Sequence, residues 1–191
     1  TAGVALLASH GAIATEQDAA APPSPAYPRR SEAAIAALAA RGVRASVVRL
    51  APTVHGPGDH GFVPQLVRVA RQTRVCAYVR GGLNRWPAVH RRDAARLYRL
   101  AVEAHTVGER FHAVAEEGIP MRTIAALIGR RLGVPLADLS PDEAREHYGW
   151  FAGFVGMDAP ASSAWTRHRL GWAPSGPGLL EDLEQAGYFD A

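Results

Sequence analysis

The chain contains no lysine: all 21 of its Lys/Arg positions are arginine. This absence excludes a Schiff-base lysine, a phosphate-loop lysine and any catalytic Tyr/Lys pair. Cysteine is nearly absent as well. Cys76 stands alone, so an intrachain disulfide is impossible, and a lone cysteine is ordinarily a small core residue that suits a reducing compartment. No apolar run approaches the roughly 20 residues that cross a bilayer. The opening Thr1-Ala2-Gly3-Val4-Ala5-Leu6-Leu7 lacks the basic flank and the length of a secretory leader. A cytoplasmic location is expected. There is also no initial methionine, and the chain enters directly on an apolar segment, as though begun partway through a fold.

With 191 residues and 48% apolar composition, the chain can bury a real core but is short for two complete domains. The 21 arginines face 18 acids for a net charge of +3, and they are scattered in ones and twos. Solvated helix faces account for that pattern better than a phosphate-tracking stripe, so neither nucleic acid nor a membrane is an expected partner.

Periodicity predicts alternating strands and helices in the first two thirds. Thr1 to Leu7 reads as a short buried strand, and Ser9 to Arg30 as a long Ala- and Pro-rich surface loop. Ser31 to Arg41 reads as a helix stopped by Gly42, and Arg44 to Leu50 as a strand. Phe62 to Gln72 has helical spacing, with Val63, Leu66, Val67 and Ala70 on one face. Val75 to Val79 and Arg110 to Ala115 read as strands; between them Asp93 is placed to cap a helix carrying Leu97, Leu100, Ala101 and Ala104 on one side. From Pro120 onward only helices are expected: Met121 to Leu132, one opened by the capping box Ser140-Pro141-Asp142-Glu143, a short one from Ser162 or Ser163, and Leu179 to Ala186. The order indicates an α/β protein with a partly parallel sheet and an appended helical region.

Gly56, Gly58 and Gly61 fit G-x-G-x-x-G, yet the context is wrong for a dinucleotide fingerprint. The glycines come well after the strand, Asp59 would set a negative charge beside phosphates, and no acid follows Arg74 at the distance that meets a ribose. A glycine-permitted passage from strand to helix explains the loop better. Eight histidines invite a metal, with His55, Asp59 and His60 the tightest group, but no H-E-x-x-H or paired-cysteine spacing supports one, and none is expected. Leu7-Ala8-Ser9-His10-Gly11 lacks the leading glycine of a nucleophile elbow. His90 with Asp93 reads either as an acid/base pair or as a structural helix start. Trp86, Trp150, Trp165 and Trp172 read either as pocket walls or as core anchors.

Four segments taken together carry a resemblance. They are Arg49-x-x-Pro52-Thr53-Val54-His55-Gly56-Pro57-Gly58, then Gly81-Gly82-Leu83-Asn84-Arg85-Trp86-Pro87-Ala88-Val89-His90-Arg91-Arg92-Asp93, then Gly108-Glu109-Arg110-Phe111-His112-Ala113-Val114, then Leu170-Gly171-Trp172-x-Pro174. In order and spacing this resembles the second half of NAD-dependent epimerase/dehydratase proteins, the extended and atypical short-chain dehydrogenases/reductases. The family's N-terminal T-G-x-x-G-x-x-G turn has no counterpart here, and roughly one hundred further residues would be needed to supply it.

The resemblance implies the C-terminal part of a Rossmann-like parallel sheet fold with an appended mostly helical substrate-binding region. Its expected pieces are 1–61, the second half of an NAD(P)-binding domain; 62–88, a substrate-domain segment; 89–116, a return to the sheet; and 117–191, the helical substrate-binding region. NAD or NADP is the implied cofactor, with Pro52, Thr53 and Val54 against its nicotinamide. A small-molecule substrate is implied, facing His55, Asn84, Arg85 and His90, with Arg85 suited to an anionic group. A homodimer is compatible with the family. The usual Ser, Tyr-x-x-x-Lys set is not present: Tyr27 stands at the tyrosine position, Ser31 where lysine belongs, and Thr1 is the nearest substitute for the serine hydroxyl. The implied activity is NAD(P)-dependent oxidoreductase or epimerase/dehydratase-like chemistry; the alternative is a non-catalytic binding or sensor module.

Overall fold

The computed structural model describes residues 1–10, 12–23, 31–185 and 187–190. In chain order the strands are β1 (Ala2–Gly3), β2 (Val47–Leu50), β3 (Thr53–His55), β4 (Cys76–Val79), β5 (Arg85–His90), β6 (Arg110–Ala113), β7 (Glu116–Pro120) and β8 (Leu136–Leu139). The helices are α1 (Ser31–Ala39), α2 (Phe62–Thr73), α3 (Arg91–Glu103), α4 (Met121–Leu132), α5 (Pro141–Tyr148), α6 (Ala152–Val155), α7 (Ala164–Leu170) and α8 (Leu179–Gln185). The molecule is α/β, as the alternation of periods implied.

β2 is the centre of a parallel sheet in the order β1-β2-β6, with Val47 opposite Arg110 and Ala2 opposite Arg49. Its apolar Val47 and Val48 are buried, as both faces of a covered parallel strand require. Two residues later the chain changes sheets. Pro52 has no N–H to extend a ladder, so β2 ends and the chain re-enters as β3, parallel to β5, with β7 antiparallel on β5's other side. β4 and β8 form a separate parallel pair.

Four strands were not expected. β3 occupies the segment expected as a loop, β5 and β7 lie in stretches to which no element was assigned, with β7 ending at Pro120, and β8 falls where only helices were expected. Each is six residues or shorter; β5 is buried almost throughout, and Leu136-Ala137-Asp138-Leu139 has its leucines exposed or half-buried, so period-two burial leaves little trace in the sequence. The opening segment also differs: only Ala2–Gly3 is strand, and Val4–His10 winds as a 3-10 helix. Val4 and Leu7, three apart and both buried, match its three-residue turn.

The longer helices follow their periodicity. α2 buries Val63, Leu66, Val67, Val69 and Ala70, and α4 buries Ile124, Leu127 and Ile128 before stopping at Gly133 in the left-handed region. Ser140 and Glu143 complete a reciprocal capping box at the start of α5. Of α1, none of the residues is buried.

Two apolar cores result. One surrounds β2 and β6 and contains Val4, Leu7, Val48, Val89, Leu97, Phe111 and Trp172. The other lies among α2, α4, β5 and α8 and contains Leu66, Trp86, Met121, Ile124, Ile128, Leu179 and Leu183. Core membership changes between Ala88 and Val89 on β5. Ala161 and Trp172, inside the 117–191 piece expected as a mostly helical substrate-binding region, pack into the first core.

Candidate functional site

In open parallel sheets ligands gather at the carboxyl ends of the strands. Here those ends are Gly3, Leu50 and Ala113 in one sheet and His55 and His90 in the next, with Pro52, Thr53 and Val54 linking them. Pro52 and Val54 are half-buried, and Thr53 is buried with its hydroxyl accepting the Trp86 indole N–H at 2.7 Å. The segment leaves two apolar side chains, Pro52 and Val54, only partly covered at the carboxyl end of β2.

The loop after β3 is not a phosphate cradle, and its own hydrogen bonds give the reason. The Gly56 N–H donates to the Tyr188 hydroxyl at 3.1 Å, the Asp59 N–H to the Gly56 carbonyl at 3.0 Å, and the Gly61 N–H to the Asp59 carboxylate at 2.6 Å. Tyr188 donates in turn to Asp59 at 3.0 Å. Three of the loop's amides are thus satisfied internally, and the carboxylate at its centre would repel an anion. Gly56 has φ +134, and an added Cβ would meet the His90 ring at 3.0 Å, so glycine here answers a close approach.

The four residues expected to face substrate all have internal partners. His55 is 1% exposed, and its Nδ1–H donates to Asp182 of α8 at 2.8 Å. His90 sits beside it in register, with ring centroids 5.5 Å apart. It is His90, and not Asp93, that caps α3, its Nδ1 accepting the Arg92 N–H. β5 runs on to His90, which leaves Asp93 inside the first turn. There Asp93, 3% exposed, accepts the N–H groups of Ser175 at 3.0 Å and Gly176 at 2.7 Å and ties down the C-terminal segment. Asn84 donates to the Val155 and Met157 carbonyls, both at 2.9 Å. Arg85 is held by Asp158, which accepts its backbone N–H at 2.6 Å, Nε at 3.1 Å and Nη2 at 2.8 Å, and this pair is the part-exposed member of the set.

Of the residues expected to be catalytic, Thr1 is not brought to these strand ends. Thr1 precedes β1, at the amino edge of the sheet, and its hydroxyl lies 2.6 Å from that of Tyr98. A hydroxyl serving the carboxyl edge would have to follow the strand. Tyr27 lies outside the described residues, as do Pro28 and Arg30.

A buried polar network under β2 escaped the sequence reading. Arg49, fully buried, holds Glu32 of α1 through Nε at 2.7 Å and Nη2 at 2.8 Å, and Nη2 also donates to the Asp18 carbonyl. Its cross-strand neighbour His112 donates from Nδ1 to the Ser162 carbonyl at 2.7 Å, so Nε2 faces Arg49 Nη1 at 3.2 Å as the acceptor. Thr166 receives the His112 N–H and donates to buried Glu16. Only the arginine of Arg49-x-x-Pro52 signalled this network, and its partners come from distant segments.

Burial pushes the pKa of His112 below its ordinary value, with the Arg49 charge acting in the same direction; burial and the neighbouring His55 do the same at His90. Both imidazoles are therefore neutral in the folded chain at a pH where the unfolded chain, titrating near 6.5, already takes up protons. Stability contributed this way is full above the unfolded pKa and is lost as pH falls below it. Urea midpoints measured from about pH 7.5 down to about pH 5.5 should decline steadily; identical midpoints would mean that these rings are protonated in place.

A second missed feature is a run of aromatic rings. Trp86 packs on Phe62 at 3.9 Å between centroids, Phe62 on Phe151 at 4.5 Å and Phe154 at 6.5 Å, and Trp150 edges onto Phe151 and Phe154 at 5.4 and 6.0 Å. Trp86 is fully buried, whereas Trp150 is 75% exposed. The spacing Trp150-Phe151-x-x-Phe154 was the available signal. Of the other tryptophans, Trp172 is buried and donates to the Asp93 carbonyl at 3.0 Å, and Trp165 stacks on Phe111. Among the described residues no group of His, Cys, Asp and Glu is disposed to hold a metal, and no helix is long and apolar enough to cross a membrane.

No family model matches the sequence. The chain is 48% identical over 190 residues to the uncharacterized protein C2A9.02 of Schizosaccharomyces pombe, covering 99% of itself and 64% of that protein. It is 47% identical over 143 residues to the uncharacterized protein YLL056C of Saccharomyces cerevisiae, covering 75% of itself and 48% of that protein. The chain thus spans between about half and two thirds of these relatives. Among solved structures it is similar to the dTDP-glucose 4,6-dehydratase of Bacillus anthracis in complex with NAD, with a TM-score of 0.73, 16% identity, and 99% of this chain against 60% of that one. It is also similar to the UDP-glucuronic acid 4-epimerase of Bacillus cereus in complex with NAD, with a TM-score of 0.72, 15% identity, and coverages of 98% and 56%. What they share is the fold. The sheet β1-β2-β6 is part of a Rossmann-like α/β architecture common to these NAD-bound dehydratases and epimerases.

Proposed function

We propose that the chain is the nicotinamide-side and substrate-side portion of an NAD(P)-dependent oxidoreductase or epimerase/dehydratase-like enzyme that acts on a small molecule. The observation that supports this most is the agreement in fold across 98–99% of the chain with NAD-bound enzymes of which it spans 56–60%. The residues fit one end of a dinucleotide only. Pro52 and Val54 present a half-buried surface at the carboxyl end of β2, where a nicotinamide ring would rest, while in the Gly56 to Gly61 loop the amides of Gly56, Asp59 and Gly61 are already engaged and a carboxylate stands among them. When bound, the cofactor supplies hydride transfer; this chain's part is to seat the ring, with Thr53 fixed by Trp86 behind it. Tyr27 is the proposed acid/base group.

A second reading, a non-catalytic binding or sensor module, is favoured by one specific observation. Thr1 lies at the wrong edge of the sheet, and no lysine exists to lower the pKa of Tyr27. Calorimetry with millimolar NAD and NADP tests the main proposal: this chain alone should show no binding, and the full-length Schizosaccharomyces pombe relative should bind. Micromolar binding to the chain alone, or none to the relative, sinks it. A relative that binds cofactor yet gives no NAD(P)H-linked turnover on any substrate in a screen would favour the sensor.

A further inference from the structure

The free edge of β1 is flanked by uncovered apolar surface on both faces of its sheet. Among the described residues β1 has β2 as its one neighbour, so its outer edge is unpaired. Val47 and Val48 point to opposite faces of β2 and identify what lies on each. Val47 borders α1, which sits in the crossover from β1 to β2, and seven of the nine residues of α1 are apolar although none is buried. Leu38 and Val43, near its end, are 36% and 43% exposed. Val48 borders α3, where Thr1, Tyr98, Ala101 and Val102 line a hollow of about 310 Å³, and Val102 is 70% exposed. Parallel sheets ordinarily have both faces covered, and an unpaired edge beside apolar surface invites another segment to complete it.

The length of the relatives says what covers this edge. The match to the Schizosaccharomyces pombe protein takes in 99% of this chain and 64% of that protein, so about a third of the relative, on the order of one hundred residues, lies outside it, enough for several strands and helices of ordinary length. Charge adds a constraint. Arg44 and His105 line the same hollow as Val102, and among the described residues Arg44 has no ion pair. We propose that the part of the full-length relatives absent from this chain docks on this edge. It adds a strand beside β1, lays an apolar helix across α1, where five alanines permit close approach, and covers Tyr98 and Val102 with an element that brings a carboxylate to Arg44. The inference rests on the proposed function insofar as that reads the chain as a portion of a larger protein, and it needs neither the cofactor nor the reaction.

Hydrogen exchange and thermal melts, both without NAD(P), test this on the chain and on the full-length Schizosaccharomyces pombe relative. Peptides spanning residues 1–7 and 31–39 should exchange about tenfold more slowly, or slower still, at the aligned positions of the relative than in this chain. Leu38→Arg and Val102→Arg should each leave the melting temperature of this chain within about 2 °C, as exposed sites allow, and lower that of the relative by about 5 °C or more, where the new charge is buried under the docked segment. Leu83→Arg, at a turn 62% exposed outside this sheet, should act alike in both. The proposal is overturned if the peptides exchange equally in the two proteins, if Leu38→Arg and Val102→Arg are both neutral in the relative, or if the chain alone sediments as a dimer that Leu38→Arg dissociates, which would assign α1 to a second copy. Failure of the relative to bind NAD(P) would sink the proposed function and leave these results standing, whereas a relative that binds cofactor with α1 still exposed would sink this proposal alone.

Discussion

Arg49→Ala should lower stability by about 3–5 kcal/mol, the range for breaking a buried ion pair by removing one partner. Arg49 has no exposed surface, and its loss leaves Glu32, 17% exposed at the side chain, without the cation that holds both of its oxygens and with Arg110 Nε 3.9 Å from one of them. The same change strips His112 Nε2 and the Asp18 carbonyl of a donor. For a chain of this size each kcal/mol is worth roughly 2–4 °C in Tm, so a fall of about 6–20 °C is expected in a thermal melt followed by circular dichroism. Arg49→Met with Glu32→Gln should recover part of the loss, because neither residue then leaves an unpaired buried charge. A single Arg49→Ala that melts within a degree or two of the parent would show that water reaches Glu32 and that the network contributes little.

Trp86→Ala should cost a similar amount, about 3–5 kcal/mol, for a different reason. Trp86 is fully buried where Phe62, Met121 and Ile119 belong to or pack against the same core, and truncation leaves a cavity that strand β5, fixed on both sides by β3 and β7, cannot collapse to fill. Trp86→Phe separates the two contributions. It keeps most of the volume and loses the indole N–H to Thr53, worth about 1 kcal/mol. Urea midpoints for the two variants should therefore differ widely; equal midpoints would mean that the hydrogen bond, and not the packing, dominates at this position.

What the sequence made legible follows from the range over which each signal acts. α2 and α4 repeat an apolar stripe over three turns, and α5 opens with a reciprocal cap four residues wide, so their causes lie within reach of one another. β3 and β8 are three and four residues long, and their pairing partners Ala88 to His90 and Cys76 to Val79 lie dozens of positions away. Asp93 shows the same limit at a single residue. Its spacing suggested a cap, but the groups that claim it, the amides of Ser175 and Gly176, are more than eighty positions downstream. The residues proposed for the cofactor, Pro52-Thr53-Val54, stand in one contiguous motif, whereas the aromatic series draws Phe62, Trp86 and Trp150 from three separate segments that meet only through packing.

The alternation of the two cores along the chain decides how this protein can be divided. Residues 4–51 build the first, 63–88 the second, 89–114 the first again, 119–155 the second, 161–172 the first, and 179–183 the second. No single cut separates one from the other. A cut anywhere between Val63 and Trp172 divides both, so the chain should melt in one transition and tolerate swapping with a relative only as a whole. The aromatic series and the buried polar network under β2 are consequently inherited as one block, and neither can be grafted elsewhere without the other.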